Sequence, residues 1–255
     1  LGSLLDVRGT LGDLFEEDSD TEGVQITLDE DPSADHTLGQ VLHSLREAVD
    51  EHRDSDSFLA QDLRSFVRLL DILAQDYDVA LMNPPYGSRN RMPELVTEYV
   101  SEHYEYIPEF YITFFEVCER LTDEDGRIGM LTPRSFMFKR RFSEFREDFI
   151  GEKGSFDFLA EYGLGILDNA TVRTVGTVVR NRADDTDEGA FIRLYDLPAS
   201  EKEGAFLNTF CSSYNENNIK RLFTVSQAEF EKIPGMPICY STPADIRQLH
   251  STELK

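Results

Sequence analysis

The chain has 255 residues, 40% of them hydrophobic and 18 of them Phe, enough for a sizeable buried core. No run approaches the roughly 18 consecutive apolar residues of a membrane span, and the start Leu1-Gly2-Ser3-Leu4-Leu5-Asp6 lacks the basic and apolar regions of a secretory leader. A formal net charge of -24, taken alone, argues against a polyanionic partner such as DNA.

Acids are spread along the whole chain and Lys is scarce against Arg, a composition that resembles proteins of salt-loving archaea. There a carboxylate-rich surface keeps protein soluble, and net charge speaks to solubility and association rather than to fold. Local charge therefore decides whether nucleic acid is a partner. The three cysteines, Cys118, Cys211 and Cys239, match neither a zinc spacing nor a disulfide framework and fit inert thiols in a reducing cytoplasm. The five histidines form no ligand pair, so no metal is expected.

In chain order, residues 16–35 hold nine acids and no base and read as a solvated loop. Leu38, Val41, Leu42, Leu45 and Val49 recur at helical spacing, with Thr37 and Gln40 in the positions of a capping box. Leu59, Leu63, Phe66, Val67, Leu70 and Leu73 form a second stripe, read as core. Tyr77 to Met82 is a short apolar run bounded by polar residues and a Pro pair, the pattern of a buried strand. Residues 91–106 and 109–121 read as helices. Gly126 follows a Thr-Asp-Glu-Asp turn, and Arg127 to Thr132 reads as a strand that Pro133 stops. Phe136 to Phe149 reads as one helix with Phe142, Phe145 and Phe149 on one side. Thr174 to Arg180 and Phe191 to Leu194 have strand character. This order of strands and helices implies α/β layering.

The strongest chemical signal is Asn83-Pro84-Pro85-Tyr86, just past the carboxyl end of the first strand, where open α/β sheets bind ligands. An exocyclic amine on an aromatic ring is a poor nucleophile because its lone pair is delocalised. Two acceptors on its N–H bonds favour a pyramidal nitrogen. The Asn83 side-chain oxygen supplies one and the Pro84 carbonyl the other. Tandem prolines fix φ and bring no competing N–H, and such preorganised dipoles lower a barrier without reorganising. Tyr86 offers a face on which a flipped base can stack. Phosphate contacts are expected from Arg89 and Arg91, just beyond the motif, and from Arg134, Lys139, Arg140 and Arg141, which fall in eight residues without an acid. No cysteine has the Pro-Cys context of cytosine C5 chemistry.

Asp78-Val79-Ala80-Leu81-Met82-Asn83-Pro84-Pro85-Tyr86-Gly87 is similar to the catalytic segment of adenine-specific methyltransferases of the Eco57I-like restriction-modification group. Gly126 to Phe136 and Leu167-Asp168-Asn169-Ala170-Thr171-Val172 resemble later segments of that group. Phe230 to Tyr240 is similar to the PglX-type methyltransferases of BREX phage-defence systems. The resemblance implies a Rossmann-like class I methyltransferase core with additional helices and loops. It implies S-adenosyl-L-methionine as methyl donor, with Asn83 and Asp6 as cofactor contacts, DNA as substrate and other defence proteins as partners. The glycine-rich cofactor loop of the group lies before the catalytic strand and is not found here, so an amino-terminal truncation is expected. The corresponding division is a remnant of the cofactor-binding half at 1–76, a catalytic core at 77–195 and the start of an accessory or target-recognition region at 196–255. Asn-Pro-Pro-Tyr also serves protein-glutamine and RNA methyltransferases, cytosine-amine methyltransferases use a similar tetrapeptide, and a catalytically incomplete fragment is a further reading.

Overall fold

The computed structural model describes residues 4–7, 43–47, 49, 58–87, 92–167, 171–183, 188–211 and 221–249. Contacts divide the chain into two units, Leu1–Gln75 and Asp76–Lys255.

In the first unit the described elements are helical. Residues 43–47 lie in the helix expected from the spacing of Leu38 to Val49, and the rest of its apolar stripe up to Leu42 falls outside the described residues. Helix α1 spans Phe58–Leu73. Its stripe is narrower than the sequence suggested: Val67, Leu70 and Leu73 are buried, whereas Leu63 and Phe66 are exposed. The third- and fourth-residue spacing was real, but only its last turns are covered. Arg46 pairs with Asp71 on α1.

The second unit is built on a six-stranded mixed sheet, β1 Tyr77–Met82, β2 Thr122–Pro133, β3 Ser155–Gly163, β4 Thr174–Arg180, β5 Glu188–Arg193 and β6 Leu222–Ser226, in the order β1-β2-β4-β3-β5-β6. β1 and β2 are parallel, as are β3 and β5, and the other three pairs are antiparallel. Tyr77 to Met82 is a strand but not the buried strand expected: it lies at the sheet edge, and Val79 and Leu81 are exposed. Helices α2 Glu94–His103 and α3 Phe110–Leu121 make the crossover from β1 to β2. Every residue of α3 from Tyr111 to Cys118 is buried, which is why its sequence is apolar nearly all round. Cys118 Sγ lies 3.9 Å from Met130 Sδ on β2. The Thr-Asp-Glu-Asp turn is present inside β2 as a break in register opposite Tyr77 and Val79, with Asp125 at φ 73°. Gly126 is needed there because a Cβ would stand 2.9 Å from the Asp78 carbonyl oxygen.

One expectation is corrected. Residues 136–149 do not form a single helix. They fold as two short 3-10 turns, Arg134–Met137 and Arg140–Phe142, and then enter a π-helical stretch, Phe145–Lys153. The Phe spacing still marks a common inner side: Phe115, Phe136, Phe145 and Phe149 pack ring to ring at 5.1 to 6.0 Å. Arg146 donates to the carbonyls of Phe136 and Lys139, and the Lys139 carbonyl also accepts the 3-10 bond from Phe142 N.

Residues beyond 196 belong to the second unit. Helix α4 Ala199–Cys211 places Phe206 near Phe158 and Tyr162, and β6 extends the sheet by pairing with β5. Short helices α5 Ala228–Glu231 and α6 Ala244–Leu249 follow. Phe230 of α5 and Tyr240, between the two helices, close on Phe191, the latter stacked at 5.3 Å.

Among the described residues no helix is long and apolar enough to cross a membrane, and no cluster of three metal-ligating side chains occurs. Burial pushes the Cys118 thiol up to about 12, so its thiolate is scarce at neutral pH. Cys118 is therefore expected to stay unlabelled by a thiol reagent in the folded protein and to react once urea unfolds it, as peptide mass mapping would record.

Candidate active site

The strand β1 runs out at Met82 because Pro84 and Pro85 cannot continue a ladder that needs backbone N–H groups. Asn83 is exposed at the carboxyl end of the strand, Pro84 is buried, and Tyr86 is half-buried. The loop is tied down at three places. The Tyr86 hydroxyl donates to the Leu131 carbonyl on β2 at 3.0 Å. It also lies 3.4 Å from Asn83 Oδ1. Phe110 N, at the start of α3, donates to the Gly87 carbonyl at 3.1 Å. Burial raises the Tyr86 hydroxyl above its ordinary value, which keeps it a donor at neutral pH.

Behind the loop, the Tyr86 ring meets the Tyr111 ring edge-on at 6.5 Å. Tyr111 is fully buried and its hydroxyl is 2.9 Å from Ser135 Oγ. The Asn83–Tyr86 loop is thus backed by side chains from α3 and from the turn after β2. Two open clefts flank it. One, of about 430 Å³, lies on the sheet face below Asn83 and is bordered by Leu81, Gly129, Phe158, Tyr162 and Gly176. The other, of about 410 Å³, lies beside Tyr86.

Of the six basic residues expected to touch phosphate, Arg89 and Arg91 lie outside the described residues. Arg134, Lys139 and Arg141 line the cleft beside Tyr86, and Arg140 is exposed on the adjoining 3-10 turn. Arg134 is engaged inside the protein: its Nη2 sits 2.9 Å from Glu161 on β3, a buried acid that also accepts from the Tyr240 hydroxyl at 2.5 Å. The Arg134 guanidinium faces the rings of Phe138 and Tyr195 at 5.1 and 5.3 Å. Arg141 is paired with Glu109. The sequence reading missed Glu109, Ser135 and Arg173, which line the same cleft. Arg173 directly follows the quoted 167–172 segment, the one signal that could have drawn attention to it. Of that segment, Asp168, Asn169 and Ala170 are outside the described residues.

Asn83 stands at the strand terminus, while Asp6, the other expected cofactor contact, belongs to the first unit.

An α/β sheet that presents Asn-Pro-Pro-Tyr at the carboxyl end of a strand, with the Tyr hydroxyl pinned to the neighbouring strand, has the architecture of a methylase. The family described as Eco57I restriction-modification methylase matches residues 20–160, more than half of the sequence, and the chain belongs to that family. Among curated relatives, the adenine-specific methyltransferase PglX of Lacticaseibacillus casei (strain Zhang) is 26% identical over 246 residues, covering 94% of this chain and 20% of its own length. The adenine-specific methyltransferase BrxX of Escherichia coli O9:H4 (strain HS) is 26% identical over 185 residues, covering 71% and 14%. The chain therefore spans a fifth or less of the length of these relatives. Among solved structures, one of a type I restriction-modification system, described for complex assembly and conformational transition, aligns over 82% of this chain and 53% of its own with a TM-score of 0.49 at 13% identity.

Proposed function

We propose that this chain carries the catalytic loop of a DNA methyltransferase that moves a methyl group from S-adenosyl-L-methionine to the N6 amine of adenine, in phage defence or restriction-modification. The observation that carries the reading is the pinned loop. Asn83 Oδ1 is exposed at the strand end, and the ring beside it is fixed through its hydroxyl to Leu131. Membership of a restriction-modification methylase family supports the same substrate class.

In this reading Asn83 Oδ1 and the Pro84 carbonyl accept the two amine N–H groups, and the Tyr86 ring stacks on the flipped base. The donor supplies an electrophilic methyl group when bound, and the proton leaves the amine nitrogen after transfer. Asn83 and Asp6 are its assigned contacts, Arg89, Arg91, Lys139, Arg140 and, in competition with their paired acids, Arg134 and Arg141 are assigned to phosphates, and the division into 1–76, 77–195 and 196–255 is retained as a functional one. The setting is cytoplasmic, with other defence proteins as partners, and the acidic surface is an adaptation to salt.

The direct test is transfer of a labelled methyl group from S-adenosyl-L-methionine to DNA, RNA or a glutamine-bearing protein, followed by nucleoside mass spectrometry. Label in N6-methyladenine from DNA is expected. Label in N4-methylcytosine would move the reading to the cytosine amine. Label only in RNA or protein would overturn it. Calorimetry of donor binding by this chain and by a longer parent separates a complete enzyme from an incomplete one.

Tyr86 gives a finer check. Tyr86→Ala removes a stacking platform worth about 1–3 kcal/mol and is expected to weaken binding of a mismatched-adenine duplex by roughly tenfold or more. Tyr86→Phe keeps the ring and loses one hydrogen bond of about 1 kcal/mol. It should lie within about fivefold of wild type in the same measurement.

A further inference from the structure

The cleft beside Tyr86 reverses the sign of the rest of the molecule. The chain has 49 acidic and 25 basic Lys and Arg side chains. This cleft collects Arg134, Lys139, Arg141 and Arg173 against one acid, Glu109. The four cations are not equivalent. Arg134 is neutralised from inside by the buried Glu161. Arg141 is neutralised on the surface by Glu109. Among the described residues, Lys139 and Arg173 take part in no ion pair, and both are exposed. Unpaired cations on an open cleft next to an aromatic platform call for an anion from outside.

Glu109 has two places to be. Its carboxylate now sits on Arg141, yet the residue is also the N-cap of α3, where its side chain makes no capping hydrogen bond. An acid at a helix start is stabilised by the unpaired N–H groups and the dipole there. Release from Arg141 would leave the carboxylate near a second favourable partner. The backbone next to it matters too, because Phe110 N holds the Gly87 carbonyl of the catalytic loop. A carboxylate and a phosphate ask for the same fork of guanidinium donors, so one can replace the other on Arg141.

We propose that this cleft is a phosphodiester subsite for the strand whose base stacks on Tyr86, gripped by Lys139 and Arg173, with Glu109 as a latch that holds Arg141 until a phosphate displaces it. The proposal rests on the nucleic-acid reading above and adds the residues that hold the strand and the contact that regulates them.

Anisotropy titrations over a range of salt test it, using a short labelled DNA duplex with a mismatched adenine and an RNA of the same sequence. Each phosphate contact contributes about 0.9 to the slope of log K against log salt for duplex DNA. Lys139→Gln and Arg173→Gln should each make the slope shallower by about that amount. Glu109→Gln should tighten binding by about fivefold, the upper range for an exposed ion pair, and should do nothing in an Arg141→Gln background. An equal gain in both backgrounds means plain charge repulsion and overturns the latch. Unchanged slopes in Lys139→Gln and Arg173→Gln, or no binding of either nucleic acid, overturn the subsite. The function fails separately: methyl transfer confined to RNA, with the slope losses now seen on RNA, supports the subsite and refutes DNA as the substrate.

Discussion

Asn83→Ala is expected to lower kcat for methyl transfer by about 10²–10³-fold while leaving duplex affinity within about twofold, the loss typical of one preorganised dipole at a reacting centre. The amide of Asn83 lies past the last strand residue and is exposed, so its removal leaves no cavity and disturbs no core. Its Oδ1 sits 3.4 Å from the Tyr86 hydroxyl, whose stronger bond is to Leu131 at 3.0 Å. Tyr86 therefore keeps its anchor in the variant, and stacking survives. Binding and chemistry should separate, with KM near wild type and kcat collapsed. Asn83→Asp retains an acceptor oxygen of the same reach and should recover part of the rate. Single-turnover kinetics at saturating DNA would measure both. Full activity in Asn83→Ala would remove the two-acceptor mechanism, and an equal loss in Asn83→Asp would show that the amide N–H₂ matters instead.

How legible this was depended on whether the information was local. β1 could be read as a strand because its apolar run, its polar borders and its proline stop all lie within ten residues, but not as a buried one, because its place at the sheet edge leaves Val79 and Leu81 exposed. The helix α3 was equally plain, because a helix buried on most of its circumference leaves a continuous apolar sequence. β3 was missed. Its sequence, Ser155 to Gly163, carries Asp157 and Glu161, which look like solvent-facing acids. In the fold Glu161 is buried between Arg134 and Tyr240, residues 27 and 79 positions away in sequence. Arg134 and Arg141 show the same blind spot from the other side. A basic run free of acids suggested phosphate contacts, yet each arginine meets an acid supplied by a distant element. Arg173 was overlooked because it stands alone in sequence and joins the others only in the cleft beside Tyr86. The chemistry of the site was local and readable, and its charge balance was a property of the tertiary fold.

Arg146→Met is expected to destabilise the second unit by about 4 kcal/mol or more, a large part of the 5–15 kcal/mol that holds a typical domain together. Arg146 is 1% exposed. Its Nε reaches the carbonyls of Gly235 and Met236 at 2.9 and 3.0 Å, and its Nη1 those of Phe136 and Lys139 at 2.6 and 3.0 Å. Nη2 adds a 2.5 Å contact to Gly235. Burial lowers its pKa, with Glu147 acting the other way. One guanidinium thus satisfies four backbone acceptors from two segments that otherwise share the single bond from Ile238 N to Met137 O. Methionine replaces most of the stem, so the loss comes from the carbonyls of Phe136, Gly235 and Met236, each costing about 1–3 kcal/mol if water cannot reach it, while the Lys139 carbonyl keeps Phe142 N as a donor. The melting temperature should fall by roughly 8–16 °C at this size, and Arg146→Lys should fall between, since one ammonium cannot span both segments. A shift below about 2 °C would mean that water replaces the guanidinium. The same variants bear on function through Lys139, whose carbonyl is one of the four. If Arg146 fixes the turn that presents Lys139 to the cleft, Arg146→Lys should make the salt dependence of nucleic-acid binding shallower at temperatures where it is still fully folded, a change that lower global stability alone would not produce.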